Sequence, residues 1–332
     1  MTIALGAAVI DVHAHVVLAE TFGAAGDLGP EMGGQDGDAP WFRVGDYRLD
    51  GVRYQGSPFM DTALRLNRMD AAGIDYQVLS PNPLTFLHFI DAADAIRFCR
   101  THNDALSRLV SGHDRLGGFA ALPMQDVAAA ADELDRAVSR LGLLGGYIGT
   151  DMPHRLDAPG MDSLYETCTR LHVPLFIHPS PAGIDGPKGD PNLTDYDLDV
   201  VVGFAAQETL AVARLIYGGV LDRHPMLDIC LSHGGGSTGY LFGRMAMAAR
   251  KRPWASAELR ADGAFEDRLR RLWFDNHLNS DASLDLLVSR IGTDRLVFGT
   301  NFAGWDAPDD LGAHRPPKEL ADNARRLLRI KE

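Results

Sequence analysis

Two histidines two residues apart, His13 and His15, close an apolar run that begins at Ala7. In an extended backbone, side chains at i and i+2 point to the same side. The pair can therefore offer two imidazole nitrogens to one divalent cation, which takes nitrogen and oxygen ligands at about 2 Å. Alone, such a pair fits a packed role better than ligation. Three later stretches repeat the arrangement: Phe176-Ile177-His178, Leu231-Ser232-His233-Gly234-Gly235-Gly236 and Val297-Phe298-Gly299-Thr300-Asn301. Each is an apolar run ending in a residue able to bind metal, move a proton or touch a ligand. A bound cation would lower the pKa of its water toward ~7 and polarise a substrate oxygen. A histidine beside it could accept and return a proton near neutral pH. The Gly234–Gly236 run lets backbone approach a ligand and opens the next helix, whose amino end favours an anion.

These residues need a frame that brings strand ends together. Strand-like runs fall at 74–80, 117–122, 145–149, 174–178, 227–232, 272–274 and 296–299. Helix-like runs lie at 60–72, 92–111, 127–141, 163–171, 207–218, 283–291 and 319–329. With the first run this makes eight β units, most followed by a helix. The strands read as continuous apolar runs, as buried parallel strands do. Eight such units favour an α/β fold of the (β/α)8 TIM-barrel type over an open doubly wound sheet, which would place a glycine fingerprint where His13-Ala14-His15 stands. In such a barrel the carboxyl ends of the strands converge on one mouth. Residues 1–332 read as a single domain, with a β-rich cap inserted after strand 1 at about 16–61. Within the cap, 41–54 reads as a hairpin, with turns at Gly45-Asp46 and Asp50-Gly51.

The chain has 332 residues, 45% hydrophobic and 23% charged, with a net charge of −13. That balance argues against nucleic acid and anionic membranes as partners. Cys99, Cys168 and Cys230 are odd in number and far apart, which suggests reduced thiols and a cytoplasmic setting. The first eight residues lack a basic stretch, so no signal peptide is expected. No uncharged run approaches the ~20 residues of a membrane span.

The combination of Asp11-Val12-His13-Ala14-His15, Ala121-Leu122-Pro123-Met124-Gln125, Phe176-Ile177-His178-Pro179, Gly218–Pro225, Ser232-His233-Gly234-Gly235-Gly236 and Gly243-Arg244 resembles the amidohydrolase superfamily. The likeness is to the branch containing aminocarboxymuconate-semialdehyde decarboxylase and γ-resorcylate decarboxylase, and it runs from Ile10 onward. It implies that His13, His15 and His178 bind a divalent metal, zinc before manganese, and that His233 is the acid/base histidine. It also implies that Arg53 in the cap and Arg244 hold a substrate carboxylate, with Arg244 reaching a neighbouring subunit's site in a homodimer. Guanidinium suits that task through two-pronged, charge-assisted contacts. Arg43, Arg48, Arg65 and Arg68 are competing cations in the same region.

Two departures bear on the chemistry. The family pattern near the last strand ends in Gly-Thr-Asp, whereas this chain has Gly299-Thr300-Asn301. Asparagine offers a neutral amide oxygen and cannot accept a proton. Metal would then be held more weakly, or lost, or the residue is an introduced change; retained metal is the preferred reading. Asp306 could substitute only if its loop folds back. Secondly, the loop 180–202 has no tryptophan of the kind that lines the muconate-semialdehyde pocket; it carries Asp185, Lys188, Asp190, Asp195 and Asp197. Asp11 and Glu208 are expected to orient the first ligands, with Asp275 and His277 as lesser candidates. The leading expectation is a metal-dependent, non-oxidative decarboxylase of a small unsaturated or aromatic carboxylic acid, with Asn301 in the fourth ligand position. The alternatives are a hydratase or hydrolase of a dicarboxylate, and a catalytically silent barrel that binds a small acid.

Overall fold

A computed structural model describes residues 8–34, 39–308 and 315–330. The amino-terminal stretch up to residue 7, on which the signal-peptide reading rests, lies outside them, as do the Gly/Asp-rich 35–38 of the cap. The described strands are β1 Ile10–Val16, β2 Glu31–Gly33, β3 Trp41–Val44, β4 Tyr47–Asp50, β5 Tyr76–Pro81, β6 Leu116–Gly118, β7 Ala120–Ala121, β8 Gly146–Gly149, β9 Leu175–His178, β10 Ile229–Leu231, β11 Trp273–Asp275 and β12 Leu296–Val297. The helices are α1 Thr62–Ala72, α2 Ala92–Ser111, α3 Val127–Ser139, α4 Asp162–Leu171, α5 Phe204–Tyr217, α6 Val220–Arg223, α7 Thr238–Lys251, α8 Ala257–Arg260, α9 Ala264–Leu269, α10 Asp281–Ile291 and α11 Lys318–Leu328.

Two parallel ladders, β1-β5-β6 and β7-β8-β9-β10-β11-β12, make up the barrel. β6 and β7 form one stave interrupted at Phe119, so there are eight staves. The expected continuous strand 117–122 is thus corrected to two short pieces. Bonds from Phe119 N to Leu79 O (2.8 Å), Leu144 N to Gly118 O (2.8 Å) and Ala120 N to Gly145 O (2.8 Å) carry the ladder across the break. At the other seam Val12 N donates to Phe298 O at 2.9 Å, and Ala14 pairs with Phe302. The result is the expected (β/α)8 TIM barrel.

Each stave is apolar on both faces because its outer face meets a helix and its inner face fills the barrel. Ile10, Val12, Tyr76, Val78, Phe119, Tyr147, Phe176, Cys230, Trp273 and Val297 form one buried cluster, while the opposite residues pack under the helices. Local signals end the helices where the chain must turn. The Asp61 side chain caps α1 by accepting from Leu64 N at 3.0 Å, and Gly73 closes it at φ +66. The hairpin of the cap is β3 with β4, as expected, and a third antiparallel strand, β2, joins it. Among the described residues, Asp199–Tyr217 is long and apolar enough to cross a membrane by length and composition. In the fold its Glu208 enters the barrel mouth, and Ala211, Val212, Leu215 and Ile216 sit in the core.

Candidate metal centre

The strand ends deliver three imidazoles to one point. His13 and His15 come from β1 and His178 from the last position of β9, and their ring centroids are 5.2 Å, 5.0 Å and 4.9 Å apart pairwise. All three side chains are buried. Each Nδ1 has a partner. His13 Nδ1 meets Asp275 Oδ2 at 2.7 Å, His15 Nδ1 meets Ser80 Oγ at 3.0 Å, and His178 Nδ1 meets Pro179 O at 2.6 Å. Each Nε2 is buried with no hydrogen-bond partner among the described residues. Burial lowers all three pKa values well below the usual histidine range, and the neighbouring imidazoles lower them further. Neutral rings with free lone pairs are what a divalent cation requires. One ligand atom from each residue lies within 4.8 Å of the others. Three desolvated nitrogens facing one another would be costly without a shared occupant, so these residues fit a divalent cation.

Asn301 stands on the same rim, 8% exposed, and its Oδ1 is a further buried atom without a partner. The loop beyond it does fold back. Asp306 Oδ1 accepts from Asn301 Nδ2 at 2.6 Å, and its Oδ2 lies 3.1 Å from His277 Nε2. Asp306 therefore reaches the site as the partner of Asn301 rather than as a member of the three-histidine group. Burial raises the Asp306 carboxyl, but His277, His233 and the amide of Asn301 outweigh it and hold it down at about 2.

His233 follows β10 on the turn His233–Gly235, with its ring 4.9 Å from His178 and 5.0 Å from His13. Its Nδ1 meets Glu208 Oε1 at 2.7 Å, and Ser232 Oγ donates to the same oxygen. Burial lowers the His233 pKa, yet the charge and hydrogen bond of Glu208 reverse this and raise it to about 9. Burial also pushes the Glu208 carboxyl up, against the pull of His233 and Ser232. With two donors on one oxygen, the pair is best described as an imidazolium on a carboxylate.

The orienting residues differ in part from expectation. Glu208 holds His233, the acid/base candidate, rather than one of the three metal-ligand candidates. Asp11 does not touch an imidazole: it accepts from His13 N (3.0 Å), Gln77 Nε2 (2.8 Å) and Thr300 Oγ1 (2.8 Å), tying β1 to the segment after β12. The His13 ring is held instead by Asp275, a lesser candidate. Arg65, read as a competing surface cation, is 2% exposed and donates to His15 O at 2.5 Å and Pro58 O at 2.9 Å. It fixes the backbone of His15.

Two cavities share this rim. The larger, about 470 Å³, is walled by Tyr47, Leu49, Val52, Tyr54 and Phe59 of the cap, by Val200, Val201 and Phe204, and by His15, His178, Asn301 and Trp305. The smaller, about 240 Å³, holds His233, Glu208, His277, Asn301 and Asp306. Arg53 and Arg244 are both exposed and line neither cavity. Within one chain the two arginines do not line a common cavity: residue 53 lies beyond the cap hairpin, and residue 244, which the resemblance implies for a neighbouring subunit's site, faces out from α7. Of the charged residues in the loop 180–202, Asp197 lines the larger cavity. Asp185 accepts instead from Phe89 N at 3.3 Å, and Asp190 accepts from Asn192 N at 2.8 Å. The aromatic wall that this loop lacks is supplied by Trp305, which no local signal marked.

A model of the family described as Amidohydrolase matches residues 10–330. The chain belongs to the amidohydrolase family. Among curated relatives, this amidohydrolase is 31% identical over 244 residues to 2-amino-3-carboxymuconate-6-semialdehyde decarboxylase of Dictyostelium discoideum, covering 73% of this chain and 66% of that one. It is 28% identical over 317 residues to γ-resorcylate decarboxylase of a Rhizobium species, covering 88% and 94%. Among solved structures, the amidohydrolase fold matches 5-carboxyvanillate decarboxylase of Novosphingobium aromaticivorans, complexed with manganese and 4-hydroxy-3-methoxy-5-nitrobenzoic acid. That match has a TM-score of 0.78 at 18% identity and covers 97% of this chain and 96% of that one.

Proposed function

We propose that this chain is a metal-dependent, non-oxidative decarboxylase of small aromatic carboxylic acids. The observation that carries the reading is the set of three buried, unpartnered imidazole nitrogens, two of whose rings, His15 and His178, line a cavity walled by aromatic side chains, with the paired His233 in the adjoining smaller cavity. His13, His15 and His178 would hold the cation, with the amide oxygen of Asn301 as the fourth protein group. When bound, the cation supplies a positive centre that polarises a substrate oxygen. Tyr47, Tyr54, Phe59 and Trp305 bind the ring and exclude water. The His233 ring, held through Nδ1 by Glu208, would present its other nitrogen to deliver the proton that replaces carbon dioxide. One C–C bond breaks, its electron pair stays on the ring carbon, and that carbon takes the proton.

Neither cavity has a lysine or arginine in its wall among the described residues. A substrate carboxylate would therefore find its guanidinium outside this chain's own cavity walls, as Arg244 of a neighbouring subunit would supply it in a homodimer. Manganese is favoured as the cation by the relative whose structure holds it, and zinc remains open to the same ligands. A homodimer is supported by the outward face of α7, where Arg244 lies beside Tyr240, 82% exposed, and Met247, 42% exposed. Sedimentation at equilibrium reads it directly, and a monomer would remove it. The buried, unpaired cysteines support a cytoplasmic setting.

The test is carbon dioxide release from a panel of hydroxybenzoates by manganese-loaded protein. His233→Ala is expected to lower kcat by about 100-fold or more while leaving manganese at one per chain. Loss of metal with turnover intact would overturn the assignment of His233, and water incorporation without carbon dioxide would overturn the decarboxylase.

A further inference from the structure

The loop after the last stave returns a carboxylate to the residue that departs from the family pattern, and the contact has a direction. Asn301 Nδ2 donates to Asp306 Oδ1 at 2.6 Å, while Asp306 Oδ2 faces His277 Nε2 at 3.1 Å. The turn between them is closed by Gly304 N donating to Asn301 O at 2.7 Å and by Asn279 Nδ2 donating to Asp306 O at 3.0 Å. A Cβ on Gly304 would stand 2.8 Å from Asn301 Nδ2, so the amide lies in a fitted slot. An ionised carboxylate only accepts hydrogen bonds. It takes the NH2 end of the amide and repels the oxygen end. The opposite atom, Asn301 Oδ1, is buried and has no partner among the described residues, in a residue that shares a wall with His15 and His178. A buried carbonyl oxygen left so costs about 1–3 kcal/mol unless a donor or cation meets it.

We propose that Asp306 is a positioning residue that fixes the Asn301 amide with its oxygen turned toward the cation held by His13, His15 and His178. The inference rests on the metal reading above. A neutral side chain thereby takes a ligand's place that a carboxylate fills in the family pattern. An amide has one end that binds a cation and one that repels it, so it needs an external group to choose between them. A carboxylate has two equivalent oxygens and needs none.

Calorimetric titration of metal-free full-length protein with manganese tests this, with Tm recorded for every variant. Asp306→Ala is expected to weaken manganese binding about 10- to 100-fold, the usual effect of removing a group that orients a ligand. In an Asn301→Asp background, the same Asp306→Ala change is expected to cost less than about threefold, because the need for orientation has gone. Asp306→Ser repeats both arms should the alanine variant not fold. Equal losses in the two backgrounds would mean that Asp306 only shapes the turn, and would overturn the proposal. Unchanged affinity in both Asp306 variants of the natural chain would overturn it too. His178→Ala separates the two readings. If it binds manganese as tightly as the unaltered chain, the metal centre itself is wrong; if it loses manganese while the Asp306 variants do not, only the role of Asp306 falls.

Discussion

Two residues that face the cavity, His233 and Asn301, lie in the left-handed backbone region, at φ +43 and +47. For an ordinary side chain that conformation costs about 1–2 kcal/mol, and asparagine tolerates it best. The strain at His233 is held by the glycines after it and by Glu208, whose carboxylate fixes both the ring and Ser232. The ring's pKa, raised to about 9, has a consequence for the metal-free protein. Because that value exceeds the unfolded value of about 6.5, the pair's contribution to stability is complete below pH ~6.5 and is lost as pH rises through about 9. In Glu208→Gln the burial that lowers the pKa meets less opposition, so the ring is expected to titrate well below about 9. NMR of the imidazole nitrogens in metal-free protein follows this directly. A titration unmoved by Glu208→Gln would mean that Glu208 is not the source of the shift.

At the scale of elements, the strand-to-helix turn after β10 is the tightest place at the mouth. A Cβ on Gly236 would lie 2.1 Å from Ala205 O, and its φ is +64. Gly236→Ala is therefore expected to cost 3 kcal/mol or more, roughly the sum of left-handed strain and a backbone clash. Gly243, within α7 and with open space around it, provides the contrast. There alanine is expected to stabilise by up to about 1 kcal/mol. Urea unfolding of the two variants reads both signs, and equal effects would refute the steric argument. The sequence is legible at this scale where pattern and packing agree. The helix expected at 92–111 has those bounds, and the buried staves read as apolar runs because both faces are covered. The break at Phe119 was not legible, since it comes from two stave pieces pairing with different neighbours. The partner of each imidazole was legible in part. Glu208 was legible as an orienting residue, though it serves His233; Asp275 and Arg65 reach His13 and His15 through register around the barrel, which no local spacing records. Asp306 depended on the path of a loop, and Trp305 on the same turn.

For the whole molecule, the candidate metal centre joins parts of the barrel that lie far apart in the chain. His13 and His15 stand on β1, His178 on β9, and Asn301 follows β12 at the seam where Val12 meets Phe298. A cation held there binds the folded chain and not the unfolded one. At a thousand times its dissociation constant it adds about 4 kcal/mol to stability. The expected outcome is a Tm that rises with added manganese and falls with chelator, and that no longer responds in His178→Ala. A chelator-insensitive Tm in the manganese-loaded chain would contradict a resident ion.

The larger cavity is assembled from two sources: its reactive rim comes from barrel strands, whereas much of its apolar wall comes from the cap inserted between β1 and α1. Tyr47, Leu49 and Val52 can thus vary without disturbing any residue that carries charge or proton. Such a division lets an evolving lineage exchange the acid it accepts, one wall residue at a time, while the bond-breaking apparatus is inherited intact.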